Sequence, residues 1–180
     1  MTERLGRAFY ERGAVELGPL LLNKVLVAGP CTGRIIEVEA YRSDDPASHS
    51  YRGPTARNAT MFGPAGHLYV YFTYGMHFCA NVVAGTDGDA QAVLLRALRP
   101  LTGIDLMRTR RRGRPDRILT DGPGKLCQAL AIDRAHDGTD LCSDPDLTIV
   151  DDGTPPPPSP VTTTRIGIRV ATEQPWRWLT

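Results

Sequence analysis

The sequence predicts one α+β domain, residues 1–180, built around a curved, mostly antiparallel sheet with a protruding β-hairpin and flanking helices. Three observations favour this fold class. A length of 180 residues fits one domain, and 41% hydrophobic with 23% charged residues is a globular composition. Several runs with strand character follow one another with turn residues between them. Helical signals lie before and after these runs.

The first element is a predicted short amphipathic helix over residues 5–18. Phe9, Ala14 and Leu17 fall on or near one stripe of such a helix. Gly18 and Pro19 follow, and proline removes a backbone hydrogen bond from a helix interior. We therefore expect the helix to end at this pair.

Residues 24–28 and 34–40 have the pattern of two strands joined by turn residues. Alternation along the second strand places one set of side chains on each face. One face carries Ile36, Val38 and Ala40, and the other carries Glu37, Glu39 and Tyr41. The polar loop that follows, residues 42–64, contains His49. A carboxylate, an aromatic ring and an imidazole could meet in one cleft, although such a strand face is also typical of a solvated surface.

The clearest strand signal is a hairpin formed by residues 67–73 and 76–83, with Tyr74 and Gly75 at its tip. Tyrosines within the strands, Tyr69 and Tyr71, are ordinarily half-buried packing residues. Tyr74 has little core to reach from a hairpin tip, so its exposed ring suggests a binding partner. Residues 92–98 predict a further strand, which contains Arg96.

The C-terminal half predicts two helices and one strand. Thr102 with Asp105 is a weak capping-box variant that opens the first helix. Pro123 precedes the second helix, over residues 126–132. Prolines within residues 155–160 predict an extended surface connector, and residues 165–170 predict the final strand.

The charge pattern neither requires nor excludes a nucleic acid. The formal net charge is only +1, and 19 of the 21 basic residues are arginines, whose guanidinium groups bind phosphate bidentately. Six of them form a cluster that could follow a DNA backbone or remain solvated: Arg108, Arg110, Arg111, Arg112, Arg114 and Arg117.

Other features argue against a membrane protein or a metalloprotein. No apolar run is long enough to span a bilayer, and the charged N-terminus has no signal-peptide core. We therefore expect a cytoplasmic, nucleoid-associated monomer. The four cysteines lack zinc-site spacing, so reduced thiols are expected, with no metal and no cofactor.

Several short blocks resemble the alkyladenine, or 3-methyladenine, DNA glycosylase family. The similarity is collinear over nearly the whole chain, and it supports the curved sheet more strongly than periodicity does. The blocks are RIIEVEAY at 34–41, HS at 49–50, RN at 57–58, MF at 61–62, GHLYVY at 66–71, YGM at 74–76, FC at 78–79 with Asn81, VLLR at 93–96, GPGKLCQAL at 122–130 and RIGI at 165–168.

The resemblance implies a monofunctional enzyme that flips damaged purines out of duplex DNA and hydrolyses the N-glycosidic bond. The substrates implied by the resemblance are alkylated purines of the 3-methyladenine type, and hypoxanthine and ethenoadenine are further candidate substrates. Glu39 would be the general base for water, and Arg96 would help to hold that water and a nearby phosphate. The two lysines, Lys24 and Lys125, fall outside the pocket blocks, so a Schiff-base lyase step is not expected.

The resemblance also assigns the binding residues. Tyr41, His49 and Tyr71 would form the walls of the base pocket. Asn81 would sit where a guanine amino group collides, and Ile166 would lie against the flipped nucleotide. Tyr74 would enter the minor groove as a wedge.

Two further residues are expected to contact DNA, Arg57 and Lys125. Lys125 stands in the first turn of the helix after Pro123, where free backbone N–H groups attract phosphate, although a solvated lysine is an equal interpretation. Two other functions remain open at this point. One is a damage-binding or RNA-binding module that captures a base without cleaving it, and the other is a hydrolase of free nucleosides.

Overall fold

The computed structural model describes residues 2–180 and confirms a single α+β domain around a curled antiparallel sheet. Every strand pair is antiparallel, in the order β1-β7-β2-β3-β6-β5-β4, with β9 paired to both β3 and β8. The strands are β1 Glu3–Arg4, β2 Val25–Ala28, β3 Cys31–Tyr41, β4 Leu68–Thr73, β5 His77–Ala84, β6 Gln91–Thr102, β7 Leu147–Asp151, β8 Val161–Thr163 and β9 Arg177–Leu179. The helices are α1 Arg7–Tyr10, α2 Ala14–Leu21, α3 Ile104–Arg110 and α4 Pro123–Leu130.

The sheet is organised around β3, which has different neighbours along its length. One edge pairs with β2 through the first half of the strand and with β9 at Glu37–Glu39. The other edge pairs with β6 throughout. Strand β3 leaves β2 and continues against β9, and the sheet curls where this change of neighbour occurs. Glu39 lies in the part of β3 that pairs with β9.

The face alternation of β3 changes at Ile36, and here the sequence prediction was wrong. The core side chains step from Ile35 to Val38 in β3 and from Leu95 to Leu98 in β6. Register irregularities between Ile35 and Val38 accompany these steps of three, and a separate irregularity lies between Thr32 and Gly33. The paired distortion moves Ile35 rather than Ile36 into the core.

The predicted hairpin is present as β4 and β5, with Tyr74–Gly75 at its turn. Tyr74 has φ 50° and Gly75 has φ 66°, and the N–H of Met76 donates to the Thr73 carbonyl at 3.2 Å. Positive φ at both central residues is typical of the tight turns that suit a twisted hairpin. It is a strained conformation for tyrosine, and such strain concentrates at functional sites.

The N-terminal helix is not continuous, contrary to the prediction. The helical conformation ends at Tyr10 and begins again at Ala14. The N–H of Ala14, at the start of α2, donates to the side chain of Gln91 at 2.8 Å. Helix α2 then runs past Gly18 and Pro19 to Leu21. Burial of the α2 leucines against the sheet outweighs the hydrogen bond that proline removes.

The C-terminal half differs from the prediction in three places. Helix α3 begins after Gly103, which has φ 70° and no side-chain cap, so the Thr102 capping box does not form. Helix α4 ends at Leu130, two residues early. Residues 165–170 form no strand, and the Ile166 N–H donates to the side chain of Glu39. Strands β1, β7, β8 and β9 lie in segments for which the sequence predicts no strand.

Other expectations concern the connector and the thiols. Residues 154–160 have no regular structure, as predicted for the proline-rich connector. All four cysteines are free thiols, and three are buried. Within residues 2–180, no helix combines the length and apolar character needed to cross a membrane.

We expect Gly18→Ala to destabilise the domain, because Gly18 packs directly on Trp178 of β9. A Cβ atom at this position would lie 2.6 Å from Trp178 Cζ3. Overpacking should outweigh the better helix propensity of alanine and lower the free energy of unfolding by about 1–2 kcal/mol. Urea denaturation followed by tryptophan fluorescence measures this. Gly6→Ala is the control, since a Cβ there meets nothing within 4 Å; equal effects of the two variants would contradict the packing argument.

Candidate active site

A cavity of about 470 Å³ opens between the hairpin, the middle of the sheet and the segment before β9. This volume lies in the range of small-molecule binding sites. The residues that line it include Tyr41, His49, Tyr69, Tyr71, Cys79, Asn81, Arg96 and Ile166. The predicted pocket residues Tyr41, His49, Tyr71, Asn81 and Ile166 therefore share one cavity.

Glu39 lies directly beneath this cavity, with 0% of its surface exposed. Its Oε2 accepts a hydrogen bond from the Tyr41 hydroxyl at 2.8 Å. Its Oε1 accepts one from the Ile166 N–H at 2.8 Å and lies 3.1 Å from Nη1 of Arg96. Three donors from different parts of the chain thus fix one carboxyl group at the floor of the cavity.

Arg96 lies between the two glutamates of β3. Its Nε donates to Glu37 at 2.7 Å, and its Nη1 reaches Glu39. Burial lowers the pKa of Arg96, but the charge of Glu39 and the hydrogen bond to Glu37 outweigh burial, so the pKa is raised. Arg96 stays cationic beneath the cavity.

The second glutamate, Glu37, has a different environment. Its Oε1 also accepts a hydrogen bond from Arg177 Nε of β9 at 2.7 Å. Glu37 is therefore bonded to two arginines, whereas Glu39 also accepts hydrogen bonds from the cavity residues Tyr41 and Ile166. The two carboxylates that the sequence pattern could not distinguish are distinguished by their surroundings.

Aromatic rings form the wall contributed by β4. The ring centroids of His49 and Tyr71 are 4.5 Å apart, and those of Tyr69 and Tyr71 are 5.6 Å apart. The His49 Nδ1 lies 3.0 Å from the Tyr69 hydroxyl, which holds the imidazole against the wall. The result is a polarisable surface suited to a flat ring.

Burial controls the ionisation of this wall. It raises the pKa of Tyr69 to about 12. Burial, and then the charge of Glu39, raise the pKa of Tyr41, so its hydroxyl stays a hydrogen-bond donor. Burial of the ring is the larger cause that lowers the pKa of His49 from 6.5, and the charge of Arg57 lowers it further. The residue as a whole is nevertheless exposed at the mouth of the cavity. At neutral pH His49 is therefore an uncharged imidazole.

The predicted DNA-binding residues lie at the rim or outside the cavity. Tyr74 lines the rim with 82% of its surface exposed. Arg57 donates to the Phe72 carbonyl at 3.1 Å and lies 5.8 Å from the centroid of the Tyr71 ring. Lys125 pairs with Asp121 at 2.9 Å in the first turn of α4. Pro123 of the same turn lines the cavity.

Several cavity residues were missed from the sequence. The sequence pattern identifies Tyr69 only as a packing residue, but its hydroxyl also bonds to His49. Cys79 faces Tyr71 across the hairpin, a pairing that follows once Tyr74 and Gly75 are placed at the turn. Residues 167–170 belong to a segment that the sequence predicts as a strand, and that local pattern does not place them at the cavity.

The cavity offers no metal-binding cluster. Among residues 2–180, no group of three His, Cys, Asp or Glu side chains is arranged to hold a metal ion.

Comparison with known proteins gives a consistent family. The sequence model described as methylpurine-DNA glycosylase matches residues 8–180. A protein of Burkholderia lata named "putative 3-methyladenine DNA glycosylase" is 55% identical over 97% of this chain and 86% of its own length. Proteins of the same name from Carboxydothermus hydrogenoformans and Methanoculleus marisnigri are 48% and 50% identical, each over 97% of this chain and 93% of their own length.

These matches confirm the resemblance drawn from the sequence blocks. They extend through Glu39, the aromatic wall and the C-terminal segment that contacts Glu39. The chain therefore belongs to the methylpurine-DNA glycosylase family and is a DNA glycosylase, an enzyme that hydrolyses N-glycosyl bonds.

Proposed function

We propose that this enzyme takes an alkylated purine nucleotide out of duplex DNA into the cavity and hydrolyses its N-glycosidic bond, with Glu39 as the general base. One observation carries the proposal: a fully buried carboxyl group, held by three donors, lies beneath an aromatic-walled cavity. The name of the relatives, which specifies 3-methyladenine, supports alkylated purines as the substrate class. Hypoxanthine and ethenoadenine are secondary candidates.

The cavity wall suits a cationic purine. A desolvated cation over tyrosine faces gains about 1–2 kcal/mol, and Tyr41 and Tyr71 supply such faces. The neutral imidazole of His49 adds no opposing charge. The side chain of Asn81, which donates to the Tyr69 carbonyl at 3.2 Å, is fixed at the back of the cavity. We assign Asn81 to the exclusion of guanine, and Ile166 to contact with the flipped nucleotide.

Alkylation also helps the chemistry, because a cationic purine is a better leaving group. Cleavage of the glycosidic bond develops positive charge on the sugar, which a nearby carboxylate stabilises. Glu39 would orient and deprotonate the attacking water. Arg96 would keep Glu39 in place and contact the water and an adjacent phosphate.

The duplex must open for this reaction, at a cost of about a few kcal/mol that is smallest for damaged or mispaired bases. Tyr74 is suited to occupy the gap, since its exposed ring lies on a tight turn beside the cavity. Arg57 and Lys125 would contact phosphates at either side of the opening. We further propose that the enzyme acts as a monomer.

Two other functions share part of this geometry. A damage-binding or RNA-binding module would bind a base in the cavity and release none, and a nucleoside hydrolase would cleave free nucleosides. Incubation with a duplex that contains one alkylated purine, followed by an assay of abasic sites, separates them. Base release from duplex supports the proposal, whereas activity on free nucleosides alone, or binding without release, contradicts it.

Glu39→Gln should bind damaged duplex within about threefold of the wild-type affinity and release base about 10²–10⁴ times more slowly, the contribution of a general base. Single-turnover excision assays and fluorescence anisotropy measure the two quantities. Glu37→Gln is the matched control on the same strand, and its rate should fall less than about 10-fold. If Glu37→Gln is inactive and Glu39→Gln is not, the base has been assigned to the wrong residue.

His49→Gln should flatten the acid side of the rate profile on a cationic purine. The pKa of His49 lies below 6.5, so the wild-type ring is neutral at pH 7 and gains a proton as the pH falls further. The imidazolium would repel the cationic base, so the wild type should lose a larger fraction of its pH 7.5 rate by pH 5 than the variant does. Single-turnover rates from pH 5 to 8 test this, and superimposable profiles would exclude the repulsion.

Tyr74→Ala should weaken binding to damaged duplex by about 5- to 150-fold, the value of one aromatic stacking contact of 1–3 kcal/mol. The exposed ring contributes little to the core, so the melting temperature should not change. Anisotropy measures binding, and the fluorescence of a flipped ethenoadenine reports extrusion. Tyr74→Phe keeps the ring and should behave as wild type; full flipping by Tyr74→Ala would remove the wedge role.

A further inference from the structure

Arg165 forms a buried ion pair with Asp45 that lies behind the cavity. The two arginine nitrogens Nη1 and Nη2 donate to the two carboxylate oxygens, the second at 3.1 Å, and neither side chain exceeds 1% exposure. Nη1 also donates to the Ala40 carbonyl at 3.0 Å, and Nη2 to the Ala171 carbonyl at 3.2 Å. One guanidinium thus joins β3, the loop after β3 and the segment before β9.

The same guanidinium lies between two aromatic rings. Its Cζ is 4.7 Å from the centroid of Tyr41 and 5.1 Å from that of Trp176. Trp176 in turn contacts Arg42, whose Cζ is 5.7 Å from its ring centroid. Tyr41, a wall of the cavity and a donor to Glu39, is the inner end of this stack.

Both partners of the ion pair are next to cavity residues. Asp45 is followed by Pro46, Ala47 and then His49, all of which line the cavity. Arg165 is followed by Ile166, whose N–H donates to Glu39. Tyr41 and Ile166, two of the three donors to Glu39, therefore lie on segments to which Arg165 is bonded or adjacent. The parts of the cavity wall formed by residues 46–49 and 166–170 lie on the same segments.

A buried ion pair is a poor source of stability, because removing both charges from water costs about as much as their attraction returns. Lysine could not reproduce this arrangement, since only a planar guanidinium can bond bidentately to Asp45 and stack between two rings. The Arg165–Asp45 pair loses the hydration free energy of both charges. In return it fixes the geometry of the segments beside Glu39.

We propose that Arg165 is a positioning residue that, through Asp45 and Tyr41, fixes the separation of the cavity walls and the orientation of Glu39. The proposal rests on the proposed function of Glu39. It adds that excision depends on a residue that touches neither the base nor the water.

Arg165→Lys tests this against a matched control, Arg34→Lys. Arg34 makes a similar bidentate pair with Asp152 at 2.6 and 3.3 Å and also bonds to a carbonyl, that of Asn23, but at the opposite end of β3. Both variants should lose thermal stability. Only Arg165→Lys should slow single-turnover excision at saturating enzyme, by about 10- to 100-fold, as a displaced catalytic group does.

Binding is the readout that separates positioning from loss of structure. Folded Arg165→Lys should keep its affinity for a damaged duplex within about threefold, while Arg34→Lys should keep both affinity and rate. Equal rates for wild type and folded Arg165→Lys would overturn the proposal. So would an equal loss of rate in the two variants, because the effect would then follow from stability.

A second variant decides the matter should Arg165→Lys not fold. Trp176→Leu removes one face of the stack and no polar partner of Arg165, and we expect excision about 3- to 10-fold slower with affinity unchanged. An unchanged rate would overturn the proposal. Glu39→Gln in the same assay tests the proposed function separately: if it remains active, the chemistry has been misassigned, whatever Arg165 does.

Discussion

A carboxyl group with no exposure to water must obtain all its hydrogen bonds from the protein, and the structure around Glu39 follows from that requirement. The sheet supplies Arg96 from the neighbouring strand and Tyr41 from two residues further along the same strand. A third donor, the Ile166 N–H, is available because residues 165–170 do not join a strand ladder. The three donors converge on Glu39 next to the register irregularities in the middle of the β3–β6 pair.

Much of the fold and of the site could be predicted because the signals are local. The hairpin and most of the central strands show aromatic or β-branched composition with turn residues between them. Alternation placed Glu37, Glu39 and Tyr41 on one face, and in the structure Arg96 bridges the two glutamates while Tyr41 bonds to Glu39. The roles of the individual residues came from the family resemblance, since alternation alone did not separate Glu39 from Glu37.

The rest could not be predicted, because it depends on contacts between distant parts of the chain. Periodicity places Ile36 in the core, and only the paired irregularity with β6 replaces it by Ile35. Gly18 and Pro19 read as a helix end, yet the packing of Gly18 on Trp178 belongs to a helix that continues. Residues 165–170 have strand composition, but the partner of Arg165 is Asp45, 120 residues earlier, and no local pattern encodes it.

The bond between Ile166 and Glu39 spans 127 residues of chain, which has a consequence for folding order. Contacts of such separation carry a large loop-closure entropy and form late, whereas the hairpin of β4 and β5 closes locally. The donor set of Glu39 is therefore complete only when residues 165–170 have packed against β3, whereas the stacking of Tyr69 and Tyr71 needs only one strand of the local hairpin.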